Sequence, residues 1–392
     1  MIPFDEAYRI ALDSARALDT ETVGFAEAAG RVLAQDVCAD MAMPPFNKAM
    51  VDGYACRRAD LGGPLELVDT VAAGYEPKRA VGAGQCVKIM TGAMVPEGAD
   101  CVFMVEHSEV DGDRVRFARD ETTDNITQTG RDFKPGDVLL QRGHRLKPAD
   151  VAVLASTGCV SPSVYRRPRV SVLATGDELV EPSAKPSPWQ IRNSNAYQVC
   201  VQASQIGCVA TNHGVALDND ASLDECLDRA LADCDVLVMS GGVSMGEFDL
   251  VPSAMKRHGL AIKYDRVAIQ PGKPTTFARS DSQWCFGLPG NPVSSYVIFE
   301  ILTKPFLFAL MGHAYRPPRV RLTLARTMTR KSGARRSWVP VVTVGNGKVD
   351  RVEYFGSSHI NALSMAEGLV AFQEGETELP EGSMVDVRLI HD

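Results

Sequence analysis

Residues 235–249 read DVLVMSGGVSMGEFD, and this stretch decides the fold class. Residues 235–239 form a short continuous apolar run, which reads as a buried strand. The strand runs directly into a glycine-rich loop, and residues 250–258 then read as a helix. A strand feeding a helix through a tight loop is half of a βαβ unit, with both sheet faces covered. Working outward, the alternation continues. Upstream lie a strand at 170–174, a helix at 193–206, a strand at 207–211 and a helix at 221–231. Downstream lie strands near 261–269 and 284–287 and a long helix at 291–311. This predicts a central α/β sheet domain over 169–316, with ligands beyond the C-terminal strand ends.

The flanks have another texture. Phe4, Ala7, Ala11, Ala15 and Leu18 recur at helical spacing, so the first twenty residues read as an amphipathic helix. From about 44 to 145 short apolar runs alternate with turn signals such as Gly62-Gly63-Pro64 and Gly82-Ala83-Gly84. Asp111-Gly112, between EVD and DRVRF, signals a hairpin. This is a β-rich insert within a helical N-terminal and linker region, 1–168. Residues 146–159 read as a helix with Pro148 at an acceptable early position. Pro317-Pro318 punctuates the chain, and short β-type runs at 320–324, 339–344 and 385–390 make 317–392 a small β-barrel. The expected whole is multidomain, α/β plus β. No internal repeat is visible.

Composition narrows the function. Across 392 residues, 49 Asp and Glu exceed 41 Lys and Arg, giving −8, which argues against nucleic-acid binding. No apolar run approaches a membrane-spanning length. Asp5 and Glu6 stand where a secretion signal would carry basic residues. Ten cysteines contain no C-x-x-C pair, so they read as reduced packing residues in a cytoplasmic protein rather than zinc ligands.

Chemistry concentrates in the loops. Gly241, Gly242 and Gly246 let backbone N–H groups approach a ligand, and the following helix N-terminus favours anions. Ser240 and Ser244 add hydroxyls. Glu247 and Asp249 would repel a phosphate unless a cation intervenes, which points to Mg²⁺; the alternative is a plain turn with helix-capping acids. Gly242 to Gly246 also spells G-x-S-x-G, but the longer turn, the flanking acids and the absence of an upstream oxyanion segment oppose a nucleophile at Ser244. Neither a Walker A loop nor G-x-G-x-x-G exists. LATGDEL (173–179) brings Thr175, Gly176, Asp177 and Glu178 to a strand end. IQPGKPTTFA (269–278) stiffens Lys273 between Pro271 and Pro274. GLPGNPVSSY (287–296) places Asn291 as a helix cap before Pro292, with Ser294 in the first turn. In the β-rich region, PPFNKAMVDGYA (44–55) carries Asp52, readable locally as an Asx-type turn, and KIMTGAMVPEGAD (88–100) carries Thr91.

Taken together, PPFNKAMVDGYA, IMTGAMVPEGAD, TGDEL, IRNSN, SGGVSMGEFD, QPGKP and LPGNPVS resemble the MoeA family, the molybdopterin molybdenumtransferases, which are similar to the gephyrin E domain and its plant counterpart. The resemblance implies a central domain of the MogA/MoaB kind. It implies insertion of molybdate into adenylylated molybdopterin, with Mg²⁺-dependent hydrolysis of the diphosphate and release of AMP. It also implies a homodimer of four-domain subunits, with the cleft between the sheet domain of one subunit and the β-rich domain of the other. Its implied partners are a MogA-type adenylyltransferase and molybdoenzyme delivery proteins. By resemblance, Asp52, Thr91, Asp132, Glu178, Asp218 and Asp249 match the family's catalytic positions, with Glu178 and Asp249 as metal ligands. Thr175, Gly176, Ser240, Gly241, Gly242, Ser244, Gly246, Lys273, Pro274, Asn291, Ser294 and Arg335 match substrate-binding positions. This chain departs from the pattern at Gln270, where a Lys is usual, and at Asn361, Ala362 and Met365, where two serines and an Arg are usual. Those departures keep a second reading open, a carrier or scaffold of the same family. A third is an unrelated Mg²⁺-dependent nucleotide hydrolase.

Overall fold

Helix α1 (Phe4–Ser14) is shorter than the twenty residues its periodicity suggests, because residues 20–22 leave to pair with 163–165. Phe4, Ala7 and Ala11 form its buried stripe. This computed structural model describes residues 1–242 and 250–390, which divide into two compact units. One unit is Asp36–Arg142 with Pro148–Ser161; the other is Met1–Gln35, Gly143–Lys147 and Pro162–Asp392.

The first of these is the β-rich one. Its main sheet uses β1 (Gly53–Cys56), β2 (Leu65–Val71), β3 (Gln85–Ile89), β4 (Cys101–Met104), β5 (Ser108–Asp111) and β6 (Arg114–Phe117), in the order β4-β1-β3-β2-β6-β5. The expected hairpin is there, moved by one residue: Asp111 pairs with Arg114, so Gly112 and Asp113 form the turn. Gly112 has φ +62°, the left-handed region that a two-residue hairpin needs. Helix α2 (Pro148–Ser156) begins at Pro148 itself.

The other unit is built on a sheet of β7 (Arg169–Thr175), β8 (Val209–Ala216), β9 (Val236–Ser240), β10 (Ala261–Tyr264), β11 (Thr276–Arg279) and β12 (Trp284–Leu288), ordered β8-β7-β9-β12-β11-β10. Strands β8, β7, β9 and β12 are parallel, and β11 is antiparallel to both its neighbours. The side chains alternate as a two-residue period requires. Val172, Val238 and Phe286 enter one core with α3 (Asn195–Gln205), while Leu173, Leu237 and Cys285 enter the other with α4 (Asp220–Leu231) and α5 (Val251–Arg257).

Two expectations need correction here. Residues 261–269 are not one strand: β10 ends at Tyr264, and Ile269–Gln270 pairs in parallel with Arg336 and Ser337 in another sheet. The stretch 269–278 is not all loop, since β11 begins at Thr276.

The long helix spans Pro292–Leu310. It comprises α6 (Pro292–Ile298), a π-helical turn at Phe299–Thr303 and α7 (Lys304–Leu310). Contrary to the expectation that no apolar run approaches a membrane-spanning length, it is long and apolar enough to cross a membrane, but 89% of its 18-residue apolar window is buried, as a core helix would be. Within it Glu300 and Lys304 form a buried pair at 3.1 Å. The C-terminal part is a barrel of β13 (Arg319–Leu324), β14 (Arg336–Thr343), β15 (Lys348–Arg351), β16 (Gly368–Phe372) and β17 (Met384–Leu389). The ring β14-β15-β13-β17-β16 closes when β16 pairs back onto β14. Valines 339, 341, 370, 385 and 387 fill its interior. No disulfide joins the ten cysteines, and burial pushes the Cys86 thiol up to about 12 and Cys200 to about 11, away from reactive thiolate.

Candidate functional site

Strand β7 lies between β8, which follows it in the chain, and β9, which comes later, so the β7/β9 boundary is the sheet's switch point. Thr175 ends β7 and Ser240 ends β9, both buried. The Thr175 hydroxyl donates to Asp218 Oδ1 at 3.0 Å, and the Asp218 N–H donates to Asp177 Oδ1 at 3.0 Å. These bonds tie the ends of β7 and β8 together. Glu178 is exposed, and no bond or ion pair engages its carboxylate among the described residues.

Close approach to fixed atoms requires Gly241 and Gly242, and positive φ favours all three glycines here. Gly241 has φ +96°, and a Cβ on it would lie 2.4 Å from the Thr175 carbonyl oxygen. Gly242 has φ +59°, and its Cβ would meet Val251 Cγ2 at 2.6 Å and Thr175 Oγ1 at 2.9 Å. Gly176 has φ +149°, and its Cβ would fall 2.5 Å from Glu178 Oε2. Backbone replaces side chain in a floor between two strand ends.

The remaining loops reach the same end of the sheet for a topological reason. Because β11 runs antiparallel to β12 with Thr276 opposite Gly287, the start of β11 sits beside the end of β12. The QPGKP loop thereby meets the LPGNP loop. Lys273 is exposed, and no ion pair engages it among the described residues; its carbonyl accepts from Val267 and Thr275 N–H, which fixes the loop. Pro274 follows, half-buried. Arg335 Nη1 donates to the Ile269 carbonyl at 3.1 Å, which brings Arg335 to the root of that loop. Ser294 is buried in the first turn of α6.

Asn291 occupies the N-cap position of α6, but its side chain does not cap. Its Nδ2 donates to Ser357 Oγ at 2.8 Å, and the Val293 N–H donates to the Ser357 carbonyl at 2.9 Å. Ser357 thus serves the helix start in place of the expected cap. Asn195 is a further site residue that no local pattern singles out. Its Nδ2 donates to Ser240 Oγ at 2.8 Å and to the Gly290 carbonyl at 2.7 Å, stitching β9 to the LPGNP loop. IRNSN marks it by resemblance alone, and its partners are not legible there.

In the β-rich unit, Asp52 and Thr91 are brought together. Thr91 donates to Asp52 Oδ1 from its N–H at 2.6 Å and from its hydroxyl at 2.7 Å. Those bonds, the backbone one first, hold the Asp52 carboxyl below its ordinary value. The local Asx-turn reading is replaced by a partner 39 residues away. Asp132 is exposed, its N–H donating to the Met43 carbonyl at 2.9 Å. Ser244, Gly246 and Asp249 lie outside the described residues.

A metal would need hard oxygen ligands. The free Glu178 carboxylate fits that chemistry, but among the described residues no group of three His, Cys, Asp or Glu side chains could hold a metal ion. Asp249, the other expected ligand, is not among them.

Three family models match this chain. MoeA N-terminal region (domain I and II) covers 2–158, the probable molybdopterin binding domain 171–309, and MoeA C-terminal region (domain IV) 321–390. A molybdopterin molybdenumtransferase of Bacillus subtilis is 37% identical over 318 residues, 78% of this chain and 74% of that protein. The chain belongs to the MoeA family. A molybdopterin molybdenumtransferase of Haemophilus influenzae is 32% identical over 94% of this MoeA chain and 93% of its own length. The solved molybdopterin biosynthesis MoeA protein of Pyrococcus horikoshii aligns over 100% of both chains with a TM-score of 0.85 at 30% identity. The α/β domain and the closed C-terminal barrel are therefore those of a MoeA protein.

Proposed function

We propose that this MoeA chain is a molybdopterin molybdenumtransferase that inserts molybdate into adenylylated molybdopterin, hydrolysing the diphosphate link and releasing AMP. The observation that carries this is the gathering of the TGDEL, SGG, QPGKP and LPGNP loops at one end of the sheet, with the Lys273 cation and the Glu178 carboxylate both without a partner among the described residues. The SGG backbone approaches the diphosphate, its glycines letting the turn pack closely on Thr175 and Val251. Lys273 and Arg335 attract the molybdate oxyanion. Thr175 and Asn195 position, the first by fixing Asp218 and the second by fixing Ser240. Asp52, held ionised by Thr91, supplies a fixed negative charge or proton acceptor. Mg²⁺, held by Glu178 with Asp249, would neutralise charge on the leaving phosphate. The protein acts as a cytoplasmic homodimer.

The test is one incubation of purified protein with adenylylated molybdopterin, Mg²⁺ and molybdate, following AMP and active cofactor. Molybdate-dependent release of AMP together with active cofactor is the expected result. AMP release that ignores molybdate would point to a plain nucleotide hydrolase instead. Gln270, the exposed first residue of QPGKP where the family usually carries a Lys, favours a second reading as a carrier; binding without turnover would establish that one.

A further inference from the structure

Three cysteines stand in one row of the β-rich sheet. Cys56, at the end of β1, is in register with Cys101 at the start of β4 on one side and with Cys86 on β3 on the other. In-register residues project to the same face, and all three thiols enter one core with Tyr54, Phe103 and Phe117. Cys56 turns its sulfur to Cys101, and the two Sγ atoms lie 3.5 Å apart. Residues directly opposite on antiparallel strands have Cα atoms about 4.5 or 5.5 Å apart. A disulfide spans Cα atoms about 4.4–6.8 Å apart. The backbone is therefore set for a bond, and side-chain rotation that closes the sulfurs by about 1.5 Å would complete it.

The two thiols are not equivalent. A hydrogen bond from the Cys56 thiol, helped by the Arg58 guanidinium, holds Cys101 below its ordinary value against burial and the carboxylates of Asp100 and Asp124. The same bond, with burial, pushes Cys56 up, so Cys56 keeps its proton. A thiolate-prone cysteine touching a protonated one is an attacking thiol beside a resolving thiol. Cys86, which burial pushes up to about 12, is the poorest nucleophile of the row. Access follows from topology. Both sulfurs of the pair are buried, but β4 is an edge strand and Cys101 is its first residue. The outer edge of β4 is lined by the mostly exposed segment 118–125, which carries no helix or strand. Asp124 accepts from the Val102 N–H at 2.9 Å, and Arg58 holds the segment through the Thr122 carbonyl at 2.9 Å and the Asp124 carboxylate. Exposed ion pairs hold weakly, and sheet edges open locally at low cost. Release of that clamp admits a molecule little larger than water to Cys101.

We propose that Cys56 and Cys101 are a reversible disulfide site, oxidised by hydrogen peroxide. The Cys101 thiolate attacks one peroxide oxygen, and the O–O bond breaks to give a sulfenic acid and hydroxide. The hydroxide takes up the proton that Cys101 released and becomes water. The Cys56 sulfur then displaces the sulfenic hydroxyl, which leaves as a second water with the Cys56 proton. The two thiols give up two electrons in forming the S–S bond, and these reduce the peroxide. The product is a covalent lock on the edge strand. It ties β4 to β1 at the end opposite Asp52, whose carbonyl accepts from the Val105 N–H at 3.0 Å. Its chemistry is independent of the activity proposed for the sheet-end loops.

The test treats the reduced full chain with a small molar excess of hydrogen peroxide, blocks remaining thiols with N-ethylmaleimide and maps linkages by mass spectrometry. One linkage is expected, Cys56 to Cys101, with two of the ten thiols lost and both restored by dithiothreitol. Cys86→Ser should keep the linkage. Cys101→Ser should abolish it and leave Cys56 reduced, whereas Cys56→Ser should leave a Cys101 sulfenic acid that dimedone traps. Should these variants fail to fold, the wild-type chain decides by differential alkylation: Cys101 should be oxidised at least about tenfold faster than Cys86. Cys56 and Cys101 both still reduced after the exposed Cys38 has been oxidised would overturn the site and leave a packed thiol pair. A Cys56–Cys86 linkage, or a Cys56–Cys101 linkage that forms only after urea has unfolded the chain, would overturn it equally.

Discussion

Thr91 donates twice to the same oxygen of Asp52, from its N–H and from its hydroxyl, across 39 residues of sequence. The backbone bond survives any substitution at 91; the hydroxyl bond does not. Thr91→Val should therefore raise the Asp52 carboxyl partway back toward its ordinary value, and Thr91→Ser should leave it low. Carbon-detected NMR titration of the Asp52 carboxyl reads this directly. If Asp52 works as an ionised group, Thr91→Val should cost about tenfold in turnover while Thr91→Ser stays near wild type. An unchanged Asp52 titration in Thr91→Val would mean the backbone bond alone sets its state.

The floor of the sheet-end site tolerates no side chain at position 241. Gly241→Ala puts a Cβ 2.4 Å from the Thr175 carbonyl oxygen at a φ of +96°. The clash is with backbone, so no rotamer relieves it, and the expected destabilisation is about 3 kcal/mol or more. Gly24→Ala is the control, since nothing lies within 4 Å of its Cβ, and it should shift stability by less than about 0.5 kcal/mol. Urea midpoints for the two variants check the contrast. Equal midpoints would show that the β7 and β9 ends can separate at little cost.

How much of this was legible beforehand follows from the range of each interaction. The parallel strands and their helices announce themselves through short apolar runs and glycine punctuation, which are local signals. Strand β11 did not, because Pro271, Gly272 and Pro274 mark a loop and hide a strand that begins at Thr276. Barrel strands β15 and β16 carry no clear signal either; β15 is four residues long, with only Val349 and Asp350 buried. In the site, the glycines and Lys273 were readable as types. Their partners were not: Asp52 finds Thr91, Asn291 finds Ser357 and Asn195 finds Gly290, each through tertiary contact rather than spacing. Asn291 is the instructive case, since Asn-Pro at a helix start correctly marked the position and wrongly assigned the bond.

Position 270 offers a gain of function. Gln270 is exposed directly before Pro271, at the root of the loop that carries Lys273 and next to the Ile269 carbonyl that Arg335 engages. A cation added there would join two others around an oxyanion. Gln270→Lys should lower the molybdate concentration giving half-maximal turnover by about three- to tenfold, and more at low ionic strength than at high. Turnover measured across a molybdate series at two salt concentrations checks it. No change at either salt would put position 270 outside the anion site.

Asp235 holds the entrance to β9, and its chemistry predicts an acid-labile fold. Burial pushes its carboxyl up, but two bonds from Arg166 at 2.7 Å and one from the Arg169 N–H at 2.8 Å outweigh that and hold it below its ordinary 3.8. The folded value thus lies below the unfolded one. The stabilisation is then fully present above about pH 4 and is lost as pH falls through the folded value. Asp235→Asn keeps the shape and removes the charge. Because Arg166 stays partly exposed, the expected loss at pH 7 is about 2 kcal/mol rather than the larger figure for a fully buried pair. The gap between wild type and variant should be constant from about pH 8 to pH 5 and narrow below about pH 4. Urea unfolding at pH 7, at pH 5 and near pH 3.5 tests the sign, and a gap that widens in acid would mean that desolvation, not the arginine bonds, governs Asp235.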